Sequence, residues 1–256
     1  MQLTYAAELI NKGLRIDERK FDEYREIEVQ ANTISKAEGS AIVKFGDTEV
    51  IAGVKLNIGT PFSDTPNEGI LMVGAEFSPI ASPDFEAGPP SEDAVELARI
   101  VDRGLRESHC IDLEKLVITP AEKVWMINVD IHIINHKGNL LDAAMLAAIT
   151  ALTNAKIPKI EEEKILRGEY EKDLPTSYKP VTVTVCKYGG NFFIDPTVEE
   201  EDVVEAKLAV AVRDDDVICA VQKQGRKPLK VEEIENMIDF AIKKTKELRK
   251  HIKSVK

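Results

Sequence analysis

Three arginines pose the first chemical question. Arg99, Arg103 and Arg106 recur at i, i+4 and i+7 in SEDAVELARIVDRGLRE, which makes them one column if that stretch is helical. A guanidinium is a planar fork of donors, and several in a column can grip successive phosphates of a nucleic acid. The same spacing also suits ion pairing, because Glu96 to Arg99 and Asp102 to Arg106 are separations at which helical side chains meet. The residues alone leave both uses open.

Carboxylates form the other clusters. Asp214, Asp215 and Asp216 are consecutive, as are Glu199, Glu200, Glu201 and Asp202, and either run could hold a cation for metal-dependent chemistry. The first reads as a turn between two strands, and the second as an acidic helix start after Asp195-Pro196-Thr197. His132 and His136 have no third ligand nearby and read as satisfied or exposed side chains. Cys110, Cys186 and Cys219 are too far apart for a CxxC motif, and Cys219 reads as a core residue among apolar neighbours. No glycine-rich phosphate loop, HExxH or GxSxG is present. No metal, cofactor or self-sufficient catalytic set emerges.

The elements that must position these residues follow from pattern. Ser91 can cap a helix with Glu92 and Asp93 in its first turn, and Ala94, Leu97, Ala98, Val101 and Leu105 give it one apolar stripe. Before it come a short helix over Ala6 to Lys12, an alternating run over Ile27 to Ala31, a hairpin turning at Gly46-Asp47, and a strand in ILMVGAEFSP. After it, LEKLVITP and KVWMINVDIHIIN read as strands, and an Ala- and Leu-rich helix follows His136. The charged stretch 157–176 is the best boundary. Beyond it lie a hairpin at Gly189-Gly190, strands in AKLAVAVR and VICAVQKQG, and a long amphipathic helix after Pro228. Antiparallel strands followed by helices, roughly twice over, predict an α+β fold.

At 256 residues, with 43% hydrophobic and 31% charged residues, the chain reads as an ordinary soluble protein. It shows no signal-peptide core and no apolar run long enough for a bilayer, so the expected compartment is the cytoplasm. A net charge of −11 argues against coating nucleic acid by bulk attraction, though it leaves room for a local basic groove. From Ala241 to Lys256, seven Lys or Arg face Glu247 alone, which reads as a solvated helix end.

In this order and spacing the segments resemble the RNase PH family of phosphorolytic exoribonucleases. RIDERK resembles the family's RxDGR turn, with Glu18 at the usual glycine. GSAIVKFGDTEVIAGV resembles its first hairpin, and FIDPTVEEEDVVEAKLAVAV its acidic C-terminal segment. The resemblance implies an RNase PH-like fold of two similar halves of mostly antiparallel sheet packed with helices, here 1–156 and 177–256, joined by the charged segment 157–176. It also implies a six-membered ring around a channel for single-stranded RNA. Active members hold inorganic phosphate with an arginine in a Gly-Thr-Arg segment and use carboxylates in a segment ending Ala-Asp. The attacking phosphate must be held against its own repulsion, and a carboxylate must handle the leaving hydroxyl.

The chain departs from that pattern at each point. Within Gly138-Asn139-Leu140-Leu141-Asp142, Leu141 stands for the arginine; Lys207 in Ala206-Lys207 stands for the aspartate; Glu201 stands for a second aspartate. The loop from Ile58 to Gly69, where active members hold RNA, has no Lys or Arg. These departures resemble the non-catalytic RNase PH-like branch of the archaeal exosome, as do DTPNEG, FEAGPP and GNLLDAA. That branch implies no catalytic residue and no cofactor. It further implies a ring of three heterodimers with a catalytic RNase PH-like subunit, RNA-binding cap subunits, and RNA contacts from Arg99 first, then Arg103 and Arg106. Two alternatives stay open: an active phosphate-dependent 3′-to-5′ exoribonuclease, and a metal-dependent enzyme built on the acidic clusters.

Overall fold

A computed structural model describes residues 2–162 and 164–253 of the chain; Lys256, counted above with the tail cations, lies outside them. Helix α1 is Gln2–Asn11, ending before Gly13 in the left-handed region. Strands β1 (Ile27–Ala31), β2 (Gly39–Phe45), β3 (Thr48–Gly59), β4 (Ile70–Phe77), β5 (Val117–Thr119) and β6 (Lys123–Asn135) form the first sheet, in the order β1-β2-β3-β6-β4 with β5 beside β6. Alternation sets its register. Val50, Ala52, Val54 and Leu56 of β3 lie opposite Ile133, Ile131, Val129 and Ile127 of β6, and all are fully buried.

One pair in this mostly antiparallel sheet is parallel. Helix α2 (Glu92–Glu107) carries the chain from β4 over to β6, and such a crossover brings two strands into the same direction. LEKLVITP is only partly a strand, because Leu113–Leu116 forms a single 3-10 turn before β5. Its Leu116 is fully buried against Gly69, where an added Cβ would lie 2.6 Å from the leucine's own Cβ. Tertiary packing overrides the strand pattern there.

The second sheet runs β10-β9-β11-β12, from β9 (Val181–Tyr188), β10 (Asn191–Ile194), β11 (Ala206–Val212) and β12 (Ile218–Gln224). Between the two sheets lies α3 (Leu140–Thr153), buried at every position from Leu140 to Leu152. Its alanines let both sheets approach closely. Helix α5 (Val231–Arg249) covers the second sheet, and a short turn α4 (Val198–Glu201) links β10 to β11. One continuous hydrophobic core therefore runs from β1 through α3 to α5.

Residues 157–176 are more regular than their charge pattern suggests. β7 (Lys156–Glu161) and β8 (Lys164–Asp173) pair as a separate hairpin, with register shifts on both sides of Pro158 that erase its periodicity. Cys219 is half-exposed and not a core residue, because β12 is the free edge of its sheet.

The RIDERK turn explains a glycine in the motif it resembles. Glu18 sits at φ +64°, a conformation that strains any side chain with a Cβ. Glu18→Gly should therefore stabilise the fold by up to about 1 kcal/mol, a rise of roughly 2–4 °C in the melting midpoint for a chain of this size. A fall in the midpoint would show that the Glu18 side chain contributes more than its backbone strain removes.

Candidate functional site

Helix α2 forms as its sequence directs. The Ser91 hydroxyl accepts from the Ala94 N–H at 3.2 Å, Glu92 and Asp93 face the positive end, and the apolar stripe is buried. The three arginines then part company. Arg99 and Arg103 are exposed and line a groove of about 500 Å³ between α2 and the second sheet, floored by Ala209, Ala211 and Ala220. Among the described residues neither side chain has a hydrogen-bond or ion-pair partner. Arg106 faces a different groove and is engaged, donating to both Asp102 oxygens at 3.2 and 2.7 Å and to the Leu71 carbonyl at 2.7 Å. Its spacing with Asp102 yields the ion pair. The matching Glu96–Arg99 pair does not form, because Glu96 instead accepts from Gln224 Nε2 on β12 at 2.9 Å.

The three positions that depart from the family pattern do converge. Leu141, Glu201 and Lys207 line one cavity of about 260 Å³ where α2, α3 and β11 meet. Leu140 lines it too, so neither leucine of the Asn-Leu-Leu segment brings a guanidinium there. Lys207 Nζ lies 3.1 Å from Glu201 Oε1, which also accepts from the Asn139 N–H at 3.3 Å. Burial works against the lysine's charge, but Glu201, and more weakly Glu96, hold its pKa above the ordinary value. Asp93, Glu96 and Glu201 thus face a single lysine in the cavity. His136 borders the cavity too. Burial lowers its pKa, it stacks on Phe85 with ring centroids 5.5 Å apart, and its Nδ1 accepts from the Gly138 N–H. A phosphate entering here would meet net negative charge and no guanidinium.

Most carboxylates of the other candidate cation sites engage protein partners. Asp214 accepts from the Lys179 N–H, Asp215 pairs with Arg213, and Asp216 pairs with Lys246. Glu200 pairs with Arg15. His132 lies on the exposed side of β6, 3.4 Å from Glu76. Among the described residues no three His, Cys, Asp or Glu side chains are grouped to hold a metal ion.

Profiles of the RNase PH, or 3′ exoribonuclease, family match residues 23–158 as its domain 1 and residues 179–244 as its domain 2. The chain belongs to the RNase PH family. Among relatives, the exosome complex component Rrp42 of Thermococcus onnurineus is 45% identical over 249 residues, covering 95% of this chain and 91% of the relative. The Rrp42 of Pyrococcus furiosus is 44% identical over 252 residues, 97% of this chain and 91% of the relative. A chain of the Archaeoglobus fulgidus exosome, solved with RNA bound to the active site, is 44% identical with a TM-score of 0.93 over 98% of both chains. A chain of an archaeal exosome core gives 0.88 at 42% identity, over 98% of this chain and 96% of that one. Rice Rrp46, at 18% identity and a TM-score of 0.72, shares the fold.

This RNase PH member also carries buried polar groups that sequence reading missed. Asp195 is fully buried at φ +49° and accepts from Arg19, Arg25 and Asn139 at 2.7–3.0 Å, tying the RIDERK turn to the start of α3. Burial opposes its charge, but Arg25 and then Arg19 hold its pKa below the usual carboxylate value. Nothing in RIDERK or FIDPT marks Asp195 as the shared acceptor of Arg19 and Arg25. Asp142, in the first turn of α3, is fully buried and accepts from the Thr184 N–H at 3.0 Å, with Thr184 Oγ1 2.7 Å away.

Burial raises the Asp142 pKa from 3.8 to about 7, so the fold favours the neutral acid. Its stabilising contribution is complete below about pH 4 and is lost as pH rises through 7, on the order of 4 kcal/mol in all. Urea midpoints should therefore fall between about pH 4 and 7 in the parent and level off above that, and Asp142→Asn should flatten that slope. A slope unchanged by the substitution would assign the pH dependence elsewhere.

Proposed function

We propose that this chain is a non-catalytic ring subunit of an archaeal-type exosome that guides RNA to a partner's active site. The observation that carries the reading is the cavity at Leu141, Glu201 and Lys207, where leucine and an internal ion pair stand in place of the groups that would hold phosphate and move a proton. The relatives named Rrp42, and the likeness to exosome chains, support its placement in such a ring. In this reading three copies alternate with a catalytic RNase PH-like subunit, RNA-binding cap subunits sit on one face, and the complex works in the cytoplasm. Helix α2 presents Arg99 and Arg103 to the RNA backbone. Arg106, already engaged by Asp102 and Leu71, steadies the helix and meets RNA only by giving up those partners. Contacts of this kind ignore sequence and weaken with salt.

The test is phosphorolysis of 3′-labelled single-stranded RNA by this chain alone, by its catalytic paralogue alone, and by the two mixed, with and without phosphate. The expected result is no decay by this chain alone and the fastest phosphate-dependent decay in the mixture. Phosphate-dependent decay by this chain alone would overturn the reading and favour an active exoribonuclease. Chelator-sensitive, phosphate-independent decay would favour the metal-dependent alternative. In the mixed ring, Arg99→Glu should lower RNA affinity on the order of tenfold and leave assembly intact by size. Unchanged affinity would remove Arg99 from the RNA path.

A further inference from the structure

The arginine column is exposed in a chain rich in carboxylates, and its neutralisation by its own helix is the default. Glu96 and Arg99 stand at the separation that pairs readily on a helix. The structure diverts that carboxylate. Glu96 accepts from Gln224 Nε2 at 2.9 Å, a bond that joins α2 to the last residue of β12 across 128 positions of sequence. A carboxylate can only accept, so the amide must turn its nitrogen toward Glu96.

The donor is itself held in place. Gly225, directly after Gln224, has φ +84°, and a Cβ there would lie 2.9 Å from the Glu205 carbonyl oxygen, so the end of β12 is pressed against the start of β11. Gln224 also lies opposite Lys207 in the β11–β12 register, and both line the cavity that Glu96 borders. The Gln224 amide therefore holds Glu96 toward the second sheet, and no bond from Glu96 to Arg99 forms. Of the two acids one helical turn from Arg99, Glu96 and Asp102, the second is taken by Arg106.

We propose that Gln224 is a positioning residue, which holds Glu96 and so keeps the Arg99 guanidinium available to the RNA backbone. This rests on the reading of Arg99 as an RNA contact. Without the amide, Glu96 swings to Arg99 and competes with the phosphate.

The experiment measures affinity for a labelled oligoadenylate, and its salt dependence, in rings assembled with the catalytic partner. The variants are Arg99→Gln, Gln224→Leu, Glu96→Gln and the Glu96→Gln/Gln224→Leu double. Arg99→Gln should weaken binding about fivefold and reduce the salt slope by about 0.7, as expected for one lost contact to a single strand. Gln224→Leu should weaken it about twofold to threefold, the scale of one exposed helical ion pair. Glu96→Gln should raise affinity more in the Gln224→Leu background than in the parent, because a glutamine cannot neutralise Arg99. Additive effects of the two substitutions, or no effect of Gln224→Leu, would overturn the inference while leaving the Arg99 result standing. If Arg99→Gln binds as the parent does, the RNA reading of Arg99 falls and takes the inference with it.

Discussion

Gly138→Ala should destabilise the protein by about 3–5 kcal/mol, combining backbone strain with overpacking. Gly138 sits at φ +93°, and a Cβ there would lie 2.2 Å from the Pro196 carbonyl oxygen and 2.7 Å from the Thr197 carbonyl carbon. Both neighbours are backbone, so neither can rotate away. The loop before α3 and the turn after β10 are pressed together at this point, beside the Asp195 contacts with Arg25 and Asn139. Gly13 provides the control. It has φ +78° but nothing within 4 Å of an added Cβ, so Gly13→Ala should show the strain alone, about 1–2 kcal/mol. Urea unfolding of both variants checks this, and equal losses would refute the role of close approach.

Arg15→Ala should cost about 3–5 kcal/mol, because it leaves the carboxylate of Glu200 unpaired in the interior. Both side chains are fully buried; Arg15 Nε donates to Glu200 Oε1 at 3.0 Å, and Nη1 donates to the Ile194 carbonyl at 2.8 Å. Burial opposes the guanidinium's charge, yet Glu200 keeps the Arg15 pKa raised. Removing both charges together, as Arg15→Met with Glu200→Leu, should recover most of the loss, since an apolar pair avoids desolvation altogether. If the double variant is as unstable as Arg15→Ala, the carbonyl contacts of Arg15 are the larger contribution.

Much of the fold could be read from the chain because its local signals agree with one another. Ser91 and the stripe from Ala94 to Leu105 define α2, the Gly46-Asp47 turn defines the first hairpin, and the richness of α3 in Ala and Leu marks it as buried. Convergence of Leu141, Glu201 and Lys207 on one cavity was legible only through the family resemblance, since no local pattern links helix α3 to strand β11. What escaped was decided by partners distant in sequence. The parallel pairing of β4 depends on where α2 crosses, and Leu116 was claimed by Gly69 and not by a strand. The fate of Glu96 turned on Gln224, which no helical spacing could reveal. Asp142 and Asp195 look like ordinary polar residues at helix and turn positions, and only the packing of both sheets around α3 shows that they are enclosed.

The tie between Arg15 and Glu200 spans 185 positions, and this has a consequence for the order in which the nascent chain acquires structure. At a synthesis rate of about 5–20 residues per second, the arginine emerges roughly 10–40 s before its carboxylate exists. Helix α1 faces the same wait, because its docking surface on β9 and α4 belongs to the second half. The first sheet can pair in the meantime, since β1 to β6 and α3 are made without interruption. Arg15 and α1 are therefore made well before the elements that hold them, and they dock once the second sheet has formed.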